Sequence, residues 1–162
     1  MNKITLYSLD KHLKYLLSSF LFVLGMGIFT GLIYINYTTG MDSKGTIERY
    51  NGSEAAEYEI PESFPKEFES MILTTHEHII SFSIISFLIG IIFIFNTIIK
   101  GRFKHFLILE PFASILITFG SMWLMRYYND FFVYILIPSS TLMYCCWYVM
   151  IGISVYELVF KK

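Results

Sequence analysis

The chain of 162 residues is 55% hydrophobic and 19% aromatic, but only 15% charged, with a formal net charge of −1. Its mean hydropathy is +0.57, whereas soluble domains usually carry about 25% charged residues. Together with the lack of phosphate-binding and nucleic-acid-binding motifs, this composition excludes a soluble domain and a nucleic-acid partner, and it indicates a single membrane domain over residues 1–162.

Four apolar runs are long enough to cross about 30 Å of hydrocarbon as helices. The first is too long for a signal peptide and lacks a small-residue cleavage site, so we interpret it as a retained anchor. Short connections make the last three helices antiparallel neighbours. The sequence therefore predicts an all-α, polytopic, up-down four-transmembrane-helix bundle, with helices at about 15–37, 72–99, 105–127 and 131–157.

Basic residues are concentrated on one side of the predicted bundle. That side carries Lys3, Lys11, Lys14, Lys100, Arg102, Lys104, Lys161 and Lys162. Positively charged loops stay in the cytoplasm during insertion. The charge distribution thus predicts a multi-pass protein with both termini in the cytoplasm.

Residues 38–63 form an extracytoplasmic loop with six acidic residues. Asn51-Gly52 favours a turn, and the flanking stretches TIERY and EYEI favour a short hairpin. Ser63 is a candidate N-cap for the second transmembrane helix, with Pro65 in its first turn. The loop is interpreted as a solvated segment or, alternatively, as a docking surface for a basic partner or a cation.

The stretch TTHEH, residues 74–78, stands where the second transmembrane helix enters the membrane. Residues two apart on a helix point about 200° apart, so His76 and His78 face different neighbours. We expect His78 to face the bundle with Ser81. We expect His76 and Glu77 to meet either Arg126, with which Glu77 would pair across the bundle, or the acidic loop. The histidines are interpreted as a structural polar collar, a cofactor site or a proton-transfer group.

The cofactor hypothesis assigns binding to His76, His78, Thr75, Ser81 and Arg126, with haem b, copper or a quinone oxygen as the ligand. A bis-histidine haem needs a second histidine at the same depth, which a homo-oligomer would supply. One histidine with a different axial group is the alternative. A metal site of His76, His78 and Glu77 requires an irregular helix at this point.

The opposite side holds a second polar cluster of Glu110, Pro111, His105, Asn96 and Glu157. We expect Glu110 to be an interfacial carboxylate that either pairs with Lys104 or Arg102 or extends to the membrane surface. Cys145 and Cys146 match no metal spacing, and they are expected to be small buried helix residues.

The stretches RYNG, FPKEFESMILTTHEHIISFSI, EPF and SMWL resemble a group of functionally uncharacterised small bacterial four-helix membrane proteins. Those proteins carry a Thr-His-x-His motif at the head of helix two, here Thr75, His76 and His78, with Tyr50, Gly52 and Lys66 ahead of it. The resemblance covers roughly residues 45 to 157. It implies a four-helix fold, a bacterial origin and a role for the motif, but no particular activity.

No nucleophile motif or assembled catalytic set is present, so no catalytic residue is predicted. The leading hypothesis is a non-enzymatic protein of the bacterial inner membrane, a small subunit of a larger complex. Its expected partners are the lipid bilayer and other membrane subunits or further copies of the chain. One alternative is an electron-transfer protein that binds haem, a metal or a quinone, and another is a small transporter or channel.

Overall fold

The computed structural model describes residues 4–53 and 60–161, which contain helices and no strand. Four of its α-helices are long and apolar enough to cross a membrane, so the predicted all-α fold with four transmembrane helices is confirmed. The α-helices are α1 (Lys11–Thr39), α2 (Ser43–Asn51), α3 (Phe68–Ile94), α4 (Gly101–Tyr127) and α5 (Val133–Val159), and 3₁₀ turns span Leu6–Ser8 and Asp130–Phe132.

A short helix, α2, follows α1 directly. Gly40 ends α1 in the left-handed region, at φ 62°, and the carboxylate of Asp42 then caps α2 by accepting the Gly45 N–H at 2.7 Å. Glycine is required at position 45, because a Cβ there would lie 2.2 Å from the carbonyl oxygen of Thr39. The expected hairpin is therefore wrong for residues 46–50, which lie inside α2. Its other strand, EYEI at residues 57–60, falls mostly outside the described residues.

The transmembrane helix α3 begins later than its N-cap signal predicts. Its N-cap is Glu67, not Ser63. The Ser63 hydroxyl instead donates to the Glu48 carbonyl at 2.8 Å, and the Ser63 N–H donates to the Ser53 hydroxyl at 3.0 Å. These tertiary hydrogen bonds hold the segment against α2, so the local capping preference is overridden.

The same helix also ends earlier than predicted, at Ile94 rather than Ile99. The side-chain oxygen of Asn96 accepts the N–H groups of Ile98 at 3.0 Å and Ile99 at 2.9 Å. This local side-chain bonding turns the backbone out of the helix. The chain thus reverses within the stretch that the apolar pattern assigns to the membrane.

The centre of the bundle is α5, which packs against α1, α3 and α4. The Trp147 indole N–H on α5 donates to the Ser86 hydroxyl on α3 at 3.0 Å, and both side chains are fully buried. A hydroxyl pair, Thr118 and Ser139 at 2.8 Å, joins α4 to α5. Such bonds between membrane helices each contribute about 0.6 kcal/mol on average, so they fix the register of helices that close packing holds together.

By contrast, α1 is peripheral, and its transmembrane contacts are mainly with α5. Only 11% of the residues in its most apolar stretch are buried, compared with 50% in the corresponding stretch of the span that contains α5. The bundle is therefore a three-helix core with α1 attached along one side.

The two ends of the bundle differ in chemistry, and we name them after their residues. The histidine end carries α2, His78 and Arg126. The lysine end carries Leu6 and Lys104; Leu6 is fully buried and its N–H donates to the Phe95 carbonyl at 3.1 Å.

The paired cysteines lie on α5. Cys146 is buried but Cys145 is exposed, so the expectation that both are buried is wrong for Cys145. Adjacent helical residues point about 100° apart, and only one of the two can face the core.

Candidate functional site

The histidine end places its two histidines in different surroundings. His76 and Glu77 are exposed on α3, whereas His78 is half-buried. Ser81, expected beside His78 on the buried face, is instead exposed, and its hydroxyl donates to the Glu77 carbonyl at 2.7 Å. Of the predicted cofactor residues on α3, His78 and Thr75 turn toward the bundle.

The imidazole of His78 is held in a defined orientation. Its Nδ1 lies 2.8 Å from the Thr74 carbonyl oxygen. A carbonyl can only accept, so Nδ1 carries the hydrogen in this contact and Nε2 of the neutral ring keeps its lone pair. The Phe82 and Phe119 rings lie 5.3 and 5.8 Å from the imidazole, centroid to centroid. The result is a fixed, half-buried nitrogen acceptor between aromatic walls.

Thr75 is used to join two helices. Its hydroxyl donates to the Met71 carbonyl at 2.7 Å and accepts the Trp123 indole N–H at 2.8 Å. Trp123 in turn stacks on Tyr127 with ring centroids 5.5 Å apart. Both hydrogen-bonding roles of the Thr75 hydroxyl are therefore structural. They fix α3 against α4 about one turn before His78.

Arg126 does not pair with Glu77, and that prediction is wrong. Its Nε donates to the Lys66 carbonyl oxygen at 3.1 Å, and its guanidinium lies 5.0 Å from the centre of the Tyr127 ring. Among the described residues, the salt bridges are Lys44–Glu48 and Lys161–Glu157. Arg126 therefore fastens the segment before α3, and the exposed Glu77 lies away from it.

Tyr50, Gly52 and Lys66, which precede the histidines in the motif described above, form a clamp together with Asn51. The Tyr50 carbonyl accepts the Lys66 N–H at 2.9 Å, and the Asn51 amide donates to the Asp130 carboxylate at 2.6 Å. Gly52 has φ 88°, and a Cβ there would lie 2.8 Å from the ring of Pro65, which precedes α3. The clamp ties α2 to the start of α3 and to the α4–α5 turn.

Burial within this clamp raises the pKa of the Tyr50 phenol above its ordinary value of 10.0. The neighbouring Arg49 guanidinium opposes that shift by favouring the phenolate, and Tyr34 adds to it. The neutral phenol is the form that the folded protein prefers.

The donor set for a metal is not assembled in the described part of the chain. No three His, Cys, Asp or Glu side chains there lie close enough together to hold one ion. Because α3 runs without interruption through residues 76–78, the irregular helix that a His76, Glu77 and His78 site requires is not present.

The most extensive polar network lies at the lysine end, around the fully buried Glu157 of α5. Its carboxylate accepts the Asn96 amide at 2.5 Å, the Thr97 N–H at 2.8 Å and the Thr97 hydroxyl at 2.6 Å. The Lys161 ammonium lies 3.9 Å away and donates to the Thr97 hydroxyl at 2.6 Å. The network supplies hydrogen-bond acceptors for the polar groups of the turn that follows α3.

Glu110 is buried, and it makes no ion pair with Lys104 or Arg102. Only 8% of the residue is exposed, and the Ser114 hydroxyl donates to one of its oxygens. The other oxygen has no hydrogen-bond partner within the described residues, and the Cys146 side chain lies beside the carboxyl. The expected partner Lys104 instead donates to the Ile94 and Asn96 carbonyls, at 2.6 and 2.7 Å.

Asn96 and Glu157 were expected in one cluster, but the central place of Glu157 in it was not predicted. Glu157 ends a charge-free run in α5 and is followed one turn later by Lys161. A carboxylate in that position needs partners, and this signal was sufficient to predict a pairing. The Thr97 contacts depend on the register of α3 against α5, which no local pattern specifies.

Comparison with known proteins gives one match. Residues 40–162 match a protein family described as a transmembrane helical domain. No curated protein and no solved structure matches the chain significantly. The matched region contains α2 to α5 and thus both polar clusters; the Thr-His-x-His motif as a family feature stays a prediction.

Proposed function

The chain belongs to a family of transmembrane helical domains, and from that premise we propose that it is a non-enzymatic bacterial inner-membrane protein acting as a small subunit of a larger membrane complex. In this proposal the chain contributes helices for assembly rather than chemistry of its own.

The peripheral position of α1 is the observation that carries the proposal. Its exposed large side chains include Phe22, Phe29 and Ile33. Gly27 is exposed as well, and apart from its chain neighbours and the backbone of its own helix no atom lies within 4 Å of the place where a Cβ would be. Small residues on a membrane helix let a second backbone approach closely. The free face of α1 therefore suits a further transmembrane helix.

The interior supports the same interpretation over that of a transporter or channel. Large side chains fill it, including the fully buried Phe93 and Trp147. Two of its hydrogen bonds from or to hydroxyl groups join helices, in the Ser86–Trp147 and Thr118–Ser139 contacts. Polar groups that bond to one another hold the helices together, whereas a transport pathway needs polar groups that are free to bind a solute.

Site-specific photocrosslinking in the native membrane tests the proposal. A photoreactive residue at Phe29 of α1 should form one abundant adduct with a membrane protein, whereas a matched probe at the exposed Leu116 of α4 should label lipid. The adduct mass separates a different subunit from a second copy of the chain. A monomer in mild detergent whose probes both label only lipid would overturn the proposal.

The geometry of His78 favours one second candidate, a ligand-binding electron-transfer protein. With Nδ1–H bonded to the Thr74 carbonyl, the ring resembles metal-ligating histidines, whose other nitrogen donates to a carbonyl or carboxylate. The free Nε2 lone pair suits an iron or copper ion, or the hydroxyl of a quinol. It does not suit a quinone carbonyl, which needs a donor.

Absorption spectroscopy and metal analysis distinguish this second candidate. If His78 binds haem, the purified protein shows a Soret band that His78→Ala removes and that the exposed-residue control His76→Ala retains. For a quinol, His78→Ala should weaken binding of the quinol, whereas His76→Ala should leave it unchanged. Protein with no haem, metal or quinol binding would exclude the candidate.

A further inference from the structure

We propose that the lysine end binds a phospholipid with a net negative headgroup, in a groove bordered by Lys100, Lys104 and Lys161. The groove has a volume of about 930 Å³ and lies between the N-terminal residues, the turn after α3 and the start of α4. Its apolar lining includes Ile94, Phe95 and Ile99, and its polar lining consists of Thr5, Asn96, Thr97 and the three lysines.

Two of the three ammonium groups are held in place before any ligand arrives. Lys104 donates to the Ile94 and Asn96 carbonyls, and Lys161 donates to the Thr97 hydroxyl that Glu157 holds. An ammonium has three hydrogens, so each retains a donor for an anion. Fixing these long side chains in advance lowers the entropy lost on binding.

The charges in the groove are not balanced by the groups around them in the described part of the chain. The buried carboxylate of Glu157 lies 3.9 Å from the Lys161 ammonium and offsets one positive charge. Lys100 is exposed at the N-cap of α4 and makes no side-chain cap bond. The groove therefore keeps a net positive charge, which is complementary to a phosphate group.

An adjoining cleft specifies a lipid rather than a free anion. It has a volume of about 460 Å³, and it shares Ile94 and Lys104 with the groove before continuing along α4 past Ile108 and Leu109. An apolar channel that starts at a cationic site and runs along a membrane helix suits a lipid, because its phosphate binds the lysines and its acyl chain follows the channel. Basic pockets between transmembrane helices at the membrane surface bind anionic headgroups in this way.

Native mass spectrometry of the full chain in detergent, titrated with phosphatidylglycerol or phosphatidylcholine of identical acyl chains, tests the proposal. We expect a saturable complex with one phosphatidylglycerol that is favoured over phosphatidylcholine. Lys100→Gln should weaken it roughly fivefold, since a lysine near an anionic surface contributes about that factor, and Lys100→Arg should retain it. Lys104→Gln should weaken it as well.

The matched control is Lys14→Gln, the same charge change on α1 outside the groove lining, and it should leave the affinity unchanged. Equal binding of the two lipids would overturn the proposal, as would equal weakening by Lys14→Gln and Lys100→Gln. Millimolar inorganic phosphate should not compete; if it displaces the lipid, the site is for a free anion and the lipid assignment is wrong. Because Lys100 makes no cap bond, its variants test binding without loss of folding.

Discussion

Replacing Glu157 by alanine should destabilise the protein by about 3 kcal/mol. The side chain is fully buried and accepts three hydrogen bonds from Asn96 and Thr97. Each donor left without an acceptor costs about 1 kcal/mol or more. Glu157→Gln keeps the shape but brings an amide N–H₂ toward those donors, so we expect a loss of roughly half that size.

Equilibrium unfolding of purified protein in mixed micelles of increasing SDS content, followed by helical circular dichroism, measures these differences. The matched control is Glu77→Ala, which removes an exposed carboxylate of α3 and should change stability by less than about 0.5 kcal/mol. In a double-mutant cycle, Asn96→Ala combined with Glu157→Ala should cost less than the sum of the single changes. If Glu157→Ala and Glu77→Ala unfold at the same SDS content, the buried network does not stabilise the fold.

Three further outcomes are expected. Gly45→Ala should destabilise the protein by about 1–3 kcal/mol in the same unfolding assay, because its Cβ would meet a carbonyl at the end of α1, whereas Gly120→Ala, with open space around it, should be neutral or slightly stabilising. Trp123→Phe should cost about 0.6–1.7 kcal/mol by loss of its bond to Thr75. Tyr50 should make stability fall as pH rises above its ordinary pKa of 10.0, because burial raises its folded-state pKa, and Tyr50→Phe should flatten that fall.

Each of these outcomes has a result that would contradict it. Equal stability of the two glycine variants would show that α1 and α2 separate without cost. A Trp123→Phe protein as stable as the parent would mean that the indole bond is replaced by another contact. An unchanged alkaline transition in Tyr50→Phe would assign that transition to other groups.

The sequence predicted the four membrane helices because each apolar run is longer than the membrane requires, so small boundary errors do not change the assignment. It failed where a tertiary contact overrides a local preference. Ser63 has the capping chemistry of a helix start, but its hydroxyl bonds to the Glu48 carbonyl. The helix α2 was missed because its nine residues are mostly polar, and it is held by a close approach to α1 that only Gly45 permits.

The candidate sites were predictable only in part, for the same reason. Helical spacing separated His76 from His78, since it depends on one helix alone. The pairing of Glu77 with Arg126 was wrong because it depended on the rotation of α4, which turns Arg126 toward the Lys66 carbonyl. Likewise, Glu110 and Lys104 are near each other in sequence, yet α4 directs one inward and the other to the turn after α3.

The attachment of α1 to α5 has a consequence for biogenesis. About 95 residues separate the end of α1 from the start of α5, and ribosomes add about 5–20 residues per second. The first span therefore resides in the bilayer for roughly 5–20 s before its partner is synthesised. During that interval the side of α1 that later contacts α5 can be covered by lipid, by another protein or by the earlier helices of the same chain. The contact between α1 and α5 is therefore a late event of assembly. Variants that slow the insertion of α5 prolong the time in which α1 is open to other partners.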